Sequence, residues 1–587
     1  MAETVHRGFQ SWKTSGTANP PPPRQSALRI PGNSFPQPKP QVHAYGIMTD
    51  FVYDDVIMFQ HPSAALDWSR IPRSLTSNQS FIFGSNFYRP VLSFLYEIAG
   101  ALFGPHAPAW HITSILLHVA CVLLVFRLAL KLVDNNLVAG TAAALFAVHP
   151  AHVEAISWAS AMADMLMTAL MLLAVLLFLR WMEEGELRWW AASFVAGALC
   201  VFTKETAVVM PVVLLVTAMA LRSRPAPAEP DLPMLAATIP FFAITLVYLG
   251  LRQHILGAFS HPLNPSSNVQ MILTWPSVLL FYLRHMFWPS AVVPYYPVSI
   301  VTSWQGFLLP LVALIAITTV LGYLLWRSAG WQRFCICVVW ILAPLGPALY
   351  LKAQAPFELV HDRFLYAPLV GFCIAAALVL QAATRRIESR TQWRGYPLIA
   401  IVLVLLLSIE SLSQMVWWQN NLTLFTRAVS VTPRNPRALT GLAEAYLSAR
   451  HFDEAVPLLQ RALAIDPRHS GALYCLGRIA WMQGDDADAE KYLSQALSIQ
   501  PRYDIWLHLA SIEMHRKQPD AAEDAVRQAL AMDPTGVGAH AALGTMLLAK
   551  GDRPGAAREF RQELRIYPQS DVARMGLERA TTANPPH

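Results

Sequence analysis

Apolar residues form long uninterrupted runs over the first three quarters of the chain. A helix needs about 20 residues to cross the roughly 30 Å apolar core of a bilayer, so the shorter runs are predicted to tilt or to pack inside a bundle. Because only a helix satisfies its own backbone polar groups in lipid, the pattern predicts a polytopic helical bundle. The runs lie near 111–132, 137–149, 164–182, 189–203, 206–221, 234–251, 271–288, 304–326, 334–351, 363–383 and 396–416.

The last quarter of the chain repeats a pattern of small and apolar residues with a 34-residue period. Such a period, with Ala or Gly where two helices meet, is typical of a tetratricopeptide solenoid. Phe425 and Ala428 fit the last helix of a partial repeat, which would join the solenoid directly to the final apolar run. The repeats end at Pro433, Pro467, Pro501, Pro534 and Pro568.

Charge separates the same two regions. Charged side chains make up 37 of the 154 residues from 434 to 587, about 24%, but only 45 of the first 433, about 10%. The net charge of +6 arises in the first 433 residues, which carry 26 basic and 19 acidic side chains. No basic cluster alternates with aromatic residues on a soluble face, so no nucleic-acid partner is expected. The six cysteines include no CxxC pair and are interpreted as small buried apolar residues.

The predicted fold class is therefore all-α: a membrane helical bundle followed by a tetratricopeptide-repeat solenoid. Residues 1–44 are Pro-rich, contain no apolar run and are predicted to be a disordered tail without a signal peptide. Within 45–109, the aromatic stretch 87–103 fits an interfacial helix. The predicted segments are the tail 1–44, the membrane domain 45–416 with its external loop 45–109, the repeats 417–580 and a tail 581–587.

Basic loops orient the bundle. Arg385, Arg386, Arg390 and Arg394 crowd one connection, and three others carry pairs such as Arg127 with Lys131. The excess of Lys and Arg in cytoplasmic loops places these four connections inside. The alternate connections and the repeats are then predicted outside, provided that 271–288 does not make a full crossing. The predicted outside segments are 45–109, 150–163, 203–206, 252–303, 351–363 and the C-terminal tail.

Ionisable side chains gather on the predicted outside segments, where the cost of membrane burial makes them candidates for function. Asp54 and Asp55 could supply a general base or hold a cation; the alternative is a solvated turn. His149, His152 and Glu154 could bind a divalent metal, orient a sugar or phosphate, or simply satisfy a helix end.

Three further positions are predicted to bring positive charge to the same side. Lys204 lies beside Glu205 between two apolar runs, and it could meet a lipid phosphate or extend to the interface. Arg363, in the motif 358–368, suits bidentate phosphate recognition, and Arg89 could join it. Asp164 begins an apolar run, so a carboxylate at a helix N-terminus is its simplest interpretation. Together with an apolar bundle, these groups fit a lipid-linked sugar phosphate as substrate.

In these residues the chain resembles the C-type membrane glycosyltransferases, and within them the transmembrane-and-tetratricopeptide-repeat protein O-mannosyltransferases and their bacterial relatives. Each motif is short, but their order and the repeats that follow make the set specific. The motifs are VYDD at 52–55, YRPV at 88–91, HPAHVEA at 149–155, AD at 163–164, TKET at 203–206 and DRFLYAP at 362–368.

The resemblance implies a function and a role for each motif. It implies an inverting transfer of a mannose-like sugar from a polyprenyl- or dolichyl-phosphate donor to a protein Ser/Thr hydroxyl or a glycan. Asp54 would be the base and Asp55 its neighbour in acceptor or ion binding. Lys204, Arg363 and Arg89 would hold the donor phosphate. The sugar, acceptor or ion side would be lined by His149, His152, Glu154, Asp164, Glu205, Asp362 and Tyr366.

The resemblance also sets expectations for location and partners. The chain is expected in the bacterial inner membrane, or in the endoplasmic reticulum membrane of a eukaryote, with the repeats on the periplasmic or luminal side. The repeats would bind the acceptor or a partner protein. No certain cofactor is implied, and a divalent cation stays open.

Two departures from the family keep other functions open. The family has an apolar helix before the acidic loop, and 1–44 has none, so this tail is interpreted as foreign to the fold. The segment 288–297 carries no acidic residue where relatives often have one. The alternatives are an inactive membrane scaffold whose repeats assemble a secretion or polysaccharide complex, and an O-antigen-type ligase with a diphosphate-linked donor.

Overall fold

The computed structural model describes residues 50–55, 87–104, 106–221, 232–391, 395–568 and 570–582, except for the side chains of 232 and 387–391. All regular structure in these ranges is helical, without a strand, as the sequence predicts. The predicted tail 1–44, much of the loop 45–109 and the basic positions Arg390 and Arg394 lie outside the described residues or their described side chains.

Residues 43–465 form one compact unit, which contains the bundle and the first helices of the repeat region. Short 3₁₀ segments connect several of its helices, most importantly at Pro150–His152, Ala159–Ala161, Glu205–Val209 and Asp362–Leu365. The bundle helices are α1 (Pro90–Phe103), α2 (Ala107–Val133), α3 (Asn136–Ala147), α4 (Val153–Ser157), α5 (Met162–Glu184), α6 (Leu187–Val201), α7 (Met210–Leu221), α8 (Leu232–Leu256), α9 (Asn268–Phe287), α10 (Trp304–Leu345), α11 (Pro368–Thr391) and α12 (Tyr396–Met415).

Six helical segments in the described ranges are long and apolar enough to cross a membrane. The chain is thus a multi-pass membrane protein, as predicted. Shorter apolar helices, among them α3, α6 and α7, pack with these segments. The six segments are Ala107–Val133, Ala159–Glu184, Pro233–Leu256, Trp304–Leu349, Pro368–Arg386 and Tyr396–Trp418.

The two ends of the bundle differ in chemistry. We call the end that carries the connections 148–161, 202–209 and 346–367 the loop end. At the opposite end, Lys131 pairs with Glu183, and Arg333 Nε donates to the carbonyl oxygen of Leu132 at 2.8 Å. Three of the four predicted basic connections, near the end of α2, in the middle of α10 and near the end of α11, lie at this opposite end, and the fourth, at 222–224, lies outside the described residues.

The apolar run near 271–288 forms α9, which is not among the six candidate spans. Shortly before α9, Leu263 N donates to the carbonyl oxygen of Lys352 at 2.8 Å. At its other end, His285 Nδ1 lies 2.7 Å from Asp362 Oδ1. Both ends therefore contact the connection 346–367, so α9 begins and ends at the loop end of the bundle.

The long helix α10 joins two predicted runs, 304–326 and 334–351, which the sequence separates. At the junction Gly330 has a φ of 76° and a ψ of 168°, which are not helical, so α10 consists of two helices that meet at a kink, in line with the two predicted runs. Only glycine takes this conformation without a steric cost, so the residue allows the chain to bend back toward the loop end.

The repeat region begins directly after α12. Its first helices belong to the same compact unit as the bundle and are α13 (Asn421–Val431), α14 (Pro436–Ser448) and α15 (Phe452–Ile465). The chain divides into compact units at 465/466, whereas the sequence places its domain boundary at 416/417. The first repeat is thus structurally part of the membrane unit.

The second unit contains the remaining repeats. Small residues lie where paired helices meet, as the 34-residue pattern predicts. Gly477 faces Leu493 and Gly544 faces Phe560, and a Cβ added at either glycine would lie within 3 Å of that side chain. The helices are α16 (Ser470–Met482), α17 (Asp486–Ile499), α18 (Tyr503–His515), α19 (Pro519–Met532), α20 (Ala539–Ala549), α21 (Arg553–Ile566) and α22 (Asp571–Thr581).

Gly371 lies in α11 where this helix contacts α10, and it gives a test of the bundle packing. A Cβ at Gly371 would lie 2.5 Å from the carbonyl oxygen of Cys337, and backbone atoms cannot rotate away. We expect Gly371→Ala to destabilise the protein by about 1–3 kcal/mol through overpacking. Thermal unfolding of the detergent-purified chain measures this. Gly140→Ala is the control, because a Cβ there meets nothing within 4 Å; an equal unfolding temperature for the two variants would contradict the packing.

Candidate functional site

The acidic pair lies in a turn at the loop end, and its two carboxylates have different environments. Asp55 is fully buried. Its Oδ2 accepts from Ala159 N at 2.9 Å, and its Oδ1 accepts from Ser160 N at 2.7 Å and from the Ser160 hydroxyl. Both oxygens therefore fix the 3₁₀ turn that precedes α5. Burial raises the pKa of Asp55 to about 7, and the Ser160 hydroxyl and backbone donors oppose this shift.

Asp54, by contrast, is exposed. The surrounding protein nevertheless desolvates its carboxyl group, which raises the pKa of Asp54 to about 6, with a further contribution from Glu358. Arg363 and Arg437 lower this pKa. An accessible carboxylate with a pKa close to neutral is suited to accept a proton from a substrate.

Tyr53 holds this turn in an uncommon backbone conformation. Its φ is 55°, in the left-handed region, which costs about 1–3 kcal/mol for a residue other than glycine. Three polar contacts oppose that cost. Tyr53 N donates to Asn421 Oδ1 at 2.7 Å, its hydroxyl donates to Glu358 Oε1 at 3.3 Å, and the Tyr295 hydroxyl donates to the Tyr53 oxygen at 3.0 Å.

Glu154 and Arg363 form an ion pair beside the turn. Arg363 Nη1 lies 2.5 Å from Glu154 Oε1, and the backbone N of Arg363 donates to Oε2 at 3.2 Å. Glu154 is fully enclosed, whereas the Arg363 side chain remains 17% exposed. Burial raises the pKa of Glu154, and the guanidinium of Arg363 opposes this by stabilising the carboxylate.

A chain of aromatic contacts connects the turn of Asp54 to a second buried ion pair. The ring of Tyr53 meets that of Trp158 edge-on at 5.1 Å, and the guanidinium carbon of Arg363 lies 4.6 Å from the Trp158 ring centroid. Arg363 also lies over the ring of Phe364, as does Lys204, whose Nζ is 5.4 Å from that centroid. The predicted cations Lys204 and Arg363 thus lie in one continuous site.

Lys204 and Arg89 each pair with a carboxylate. Lys204 Nζ lies 2.5 Å from Asp164 Oδ1, and Arg89 Nε lies 2.8 Å from Glu205 Oε2. Lys204 and Glu205 are neighbours in sequence but have different partners in space, which their adjacent positions do not reveal. Asp164, interpreted from sequence as a helix N-terminal carboxylate, lies in the first turn of α5 and also neutralises Lys204.

The two histidines occupy apolar surroundings. His149 Nε2 donates to the carbonyl oxygen of Met286 at 2.8 Å, and its Nδ1 accepts from Ala151 N at 3.3 Å. Burial lowers the pKa of His149 to about 4. The ring of His152 packs against that of Tyr366 at 4.4 Å. The Tyr366 side chain is fully buried as well.

These contacts leave the suggested metal ligands poorly suited to a divalent ion. Both nitrogens of His149 contact backbone groups, and Glu154 is bound to Arg363. In the part of the chain that the structure describes, no three His, Cys, Asp or Glu side chains converge as a metal site would require.

The structure adds residues that sequence reasoning missed. Asp362 Oδ1 faces His285, and Asp362 Oδ2 accepts from the Tyr296 hydroxyl, so two residues from the α9 region complete the environment of a predicted carboxylate. Glu358 lies in a motif that the sequence singles out, but its ion pair with Arg437 of α14, 2.8 Å from Nη1 to Oε2, has no local sequence signal.

Comparison with known proteins adds to the evidence from the site. The family model described as dolichyl-phosphate-mannose-protein mannosyltransferase matches residues 89–249, and a tetratricopeptide repeat model matches 422–468, 440–504 and 507–571. Among solved structures, a tetratricopeptide-repeat protein of Thermus thermophilus is 23% identical, covering 31% of this chain and 94% of its own, with a TM-score of 0.25.

Three relatives show the extent of the similarity. Protein O-mannosyl-transferase F38B6.6 of Caenorhabditis elegans is 23% identical over 386 residues, which is 63% of this chain and 51% of the relative. Human protein O-mannosyl-transferase TMTC3 is 22% identical, covering 69% and 48%. Drosophila melanogaster Tmtc2 is 32% identical over 174 residues, 27% and 18%. The predicted resemblance is confirmed, and the chain spans about half the length of the first two relatives.

The different environments of the paired aspartates predict different effects of removing them. Asp55→Ala leaves the buried amides of Ala159 and Ser160 without their acceptor, so we expect a loss of about 1–3 kcal/mol in stability. Asp54→Ala removes an exposed carboxylate and should change the stability by less than about 1 kcal/mol. Thermal unfolding of both purified variants tests this. Equal destabilisation of the two would show that Asp55 has no special role in fixing the turn.

Proposed function

We propose that this protein is a membrane glycosyltransferase that moves a mannose-like sugar from a polyprenyl- or dolichyl-phosphate donor to a Ser/Thr hydroxyl or a glycan. One observation carries the proposal. An accessible carboxylate, Asp54, lies at the loop end of an apolar bundle, where the positive charges of Arg363 and Arg437 act on it. The similarity to named O-mannosyl-transferases supports the same reaction.

In the proposed reaction, Asp54 is the general base. The acceptor oxygen attacks the anomeric carbon while the bond from that carbon to the phosphate oxygen breaks. The hydroxyl proton passes to the Asp54 carboxylate, and the lipid phosphate leaves with the electron pair. A single displacement of this kind inverts the anomeric centre. Asp55 holds the backbone of the turn that presents its neighbour.

The leaving phosphate needs positive charge, because its own negative charge grows as the bond breaks. Arg363 is the best placed of the three predicted cations, because its side chain is 17% exposed, against 13% for Arg89 and 4% for Lys204. Lys204, whose side chain is more deeply buried than that of Arg363, would contribute its positive charge from a greater depth in the protein. Asp164 Oδ2 is buried and accepts no hydrogen bond from the described part of the chain.

The proposed orientation follows from the two ends of the bundle. Basic residues at the opposite end favour a cytoplasmic location for it, which puts the loop end and the start of the repeats on the periplasmic or luminal side. A bacterial inner membrane is the proposed location, or the endoplasmic reticulum membrane in a eukaryote. There the repeats would bind an acceptor protein or another partner.

Replacement of the base tests the proposed function. We expect Asp54→Asn to lower sugar transfer by at least about 100-fold, because an amide cannot accept the hydroxyl proton. The measurement is transfer from a polyprenyl-phosphate mannose donor to a Ser/Thr peptide by the purified chain, with thermal unfolding to verify the fold. Asp134→Asn is a matched control, since Asp134 is exposed at the opposite end and its φ of 49° suits asparagine.

Full activity of Asp54→Asn would refute this assignment of the base. Product formation by the purified wild type would exclude an inactive scaffold. A diphosphate-linked donor is assayed in parallel, and its exclusive use would instead favour an O-antigen-type ligase.

The protonation state of Asp54 predicts how transfer depends on pH. Its carboxyl group has a pKa raised to about 6, and only the deprotonated form accepts a proton. Transfer should therefore be lost as the pH falls through about 6 and should reach a plateau above it. The profile of kcat/KM against pH measures this in the free enzyme. An acid limb centred near the ordinary aspartate pKa of about 4 would contradict the desolvated environment.

A further inference from the structure

The first complete repeat of the solenoid contributes to the candidate active site. Resting on the proposed function, we propose that Arg437 of α14 is a positioning residue: it holds Glu358 and, through Glu358, the turn that presents Asp54. The repeats would then form part of the catalytic structure, in addition to any role in binding a partner.

A continuous set of polar contacts joins the repeat to the turn. Arg437 Nη1 lies 2.8 Å from Glu358 Oε2, and the Tyr53 hydroxyl donates to the other oxygen of the same carboxylate at 3.3 Å. The Glu358 side chain is 14% exposed, so its charge needs a partner. Arg437 supplies that partner from outside the membrane bundle.

Backbone contacts join the same elements a second time. Asn421 Oδ1, in the first turn of α13, accepts from Tyr53 N at 2.7 Å. Asn435, which caps α14, donates from Nδ2 to the carbonyl oxygen of Phe357 at 2.9 Å. Asp50 N donates to the carbonyl oxygen of Gln419 at 3.1 Å. The acidic turn and the segment around Glu358 are thus both attached to the beginning of the repeat region.

These contacts matter because the turn has a conformation that its own sequence does not favour. Tyr53 adopts a φ of 55°, and such a conformation persists where the surroundings fix it. Its ring lies 6.0 Å from that of Phe425 in α13 and 6.2 Å from that of Tyr295. Most of the groups that fix Tyr53 therefore come from the repeat region or from residues bound to it.

The charge of Arg437 also acts on Asp54 directly. Glu358 raises the pKa of Asp54, whereas Arg437 lowers it. Removing the two partners of this ion pair should therefore shift the protonation of Asp54 in opposite directions, which simple loss of packing would not do. The titratable and charged groups around Asp54 are Tyr53, Asp55, Tyr295, Glu358, Arg363, Arg437 and Glu444.

The main test compares pH profiles of the full chain in lipid nanodiscs, with a polyprenyl-phosphate mannose donor and a Ser/Thr peptide. For Arg437→Gln we expect a loss of about tenfold in kcat/KM near pH 6 that shrinks to about twofold or less near pH 8.5, because the acid limb moves to higher pH. Arg437→Lys keeps the charge and should recover most of the loss. Arg434→Gln is the control, since Arg434 is exposed three residues away.

Replacing Glu358, the partner of Arg437, should shift the acid limb of the pH profile in the opposite direction. Glu358→Gln should move the acid limb to lower pH, while its amide oxygen can still accept from the Tyr53 hydroxyl. Opposite shifts for Arg437→Gln and Glu358→Gln support the proposal. Acid limbs that move in the same direction in both variants, or wild-type profiles in both, would overturn it.

Amide exchange tests the attachment without any enzymatic assay. Tyr53 N–H is protected by Asn421, so hydrogen–deuterium exchange at Tyr53 should be faster in Arg437→Gln than in Arg434→Gln, with Asn421→Ala as the positive control. Unchanged exchange in Arg437→Gln, beside faster exchange in Asn421→Ala, would overturn the proposal even if the wild type transfers no sugar. Faster exchange without transfer would retain the structural attachment and reject the proposed reaction.

Discussion

The neutralisation of buried charge is the constraint on which the loop end depends. A charged side chain removed from water is costly unless an opposite charge and hydrogen bonds accompany it. Each of the ion pairs that meet this requirement joins segments that are distant in sequence. The connections between membrane helices are therefore fixed in position by the same groups that chemistry at this end would need. The pairs include Arg363 with Glu154, Lys204 with Asp164, Arg89 with Glu205 and Arg437 with Glu358.

This constraint also shapes the proposed donor site. A phosphate that approaches Arg363 meets a guanidinium already bound to Glu154, so it must share that cation with the carboxylate. Sharing weakens the attraction for the phosphate in the ground state, but it keeps the guanidinium fixed. A fixed cation needs little reorganisation when negative charge grows on the leaving oxygen, which is where preorganised charge contributes most to rate.

The sequence predicts the classes of structure much better than the contacts between them. The apolar runs predict the bundle, and regular proline spacing predicts the repeats, because each depends on local periodicity. Local pattern does not predict that Lys204 pairs with Asp164, or that Arg89 pairs with Glu205. The contrast between Asp54 and Asp55 has the same origin: one carboxylate reaches solvent and the other reaches the amides before α5. These features depend on which segments meet in three dimensions.

The place where the repeats begin follows from the connectivity of the chain. Helix α12 ends at the loop end, and only a few residues separate it from Asn421, so the first repeat helices must fold next to the acidic turn. A longer linker would allow the repeats to move independently of the bundle. The short connection instead places Arg437 against Glu358. Displacement of the first repeat would disturb both the backbone of Tyr53 and the charge around Asp54. The geometry of the turn around Asp54 and the position of the first repeat are therefore physically linked through this one segment.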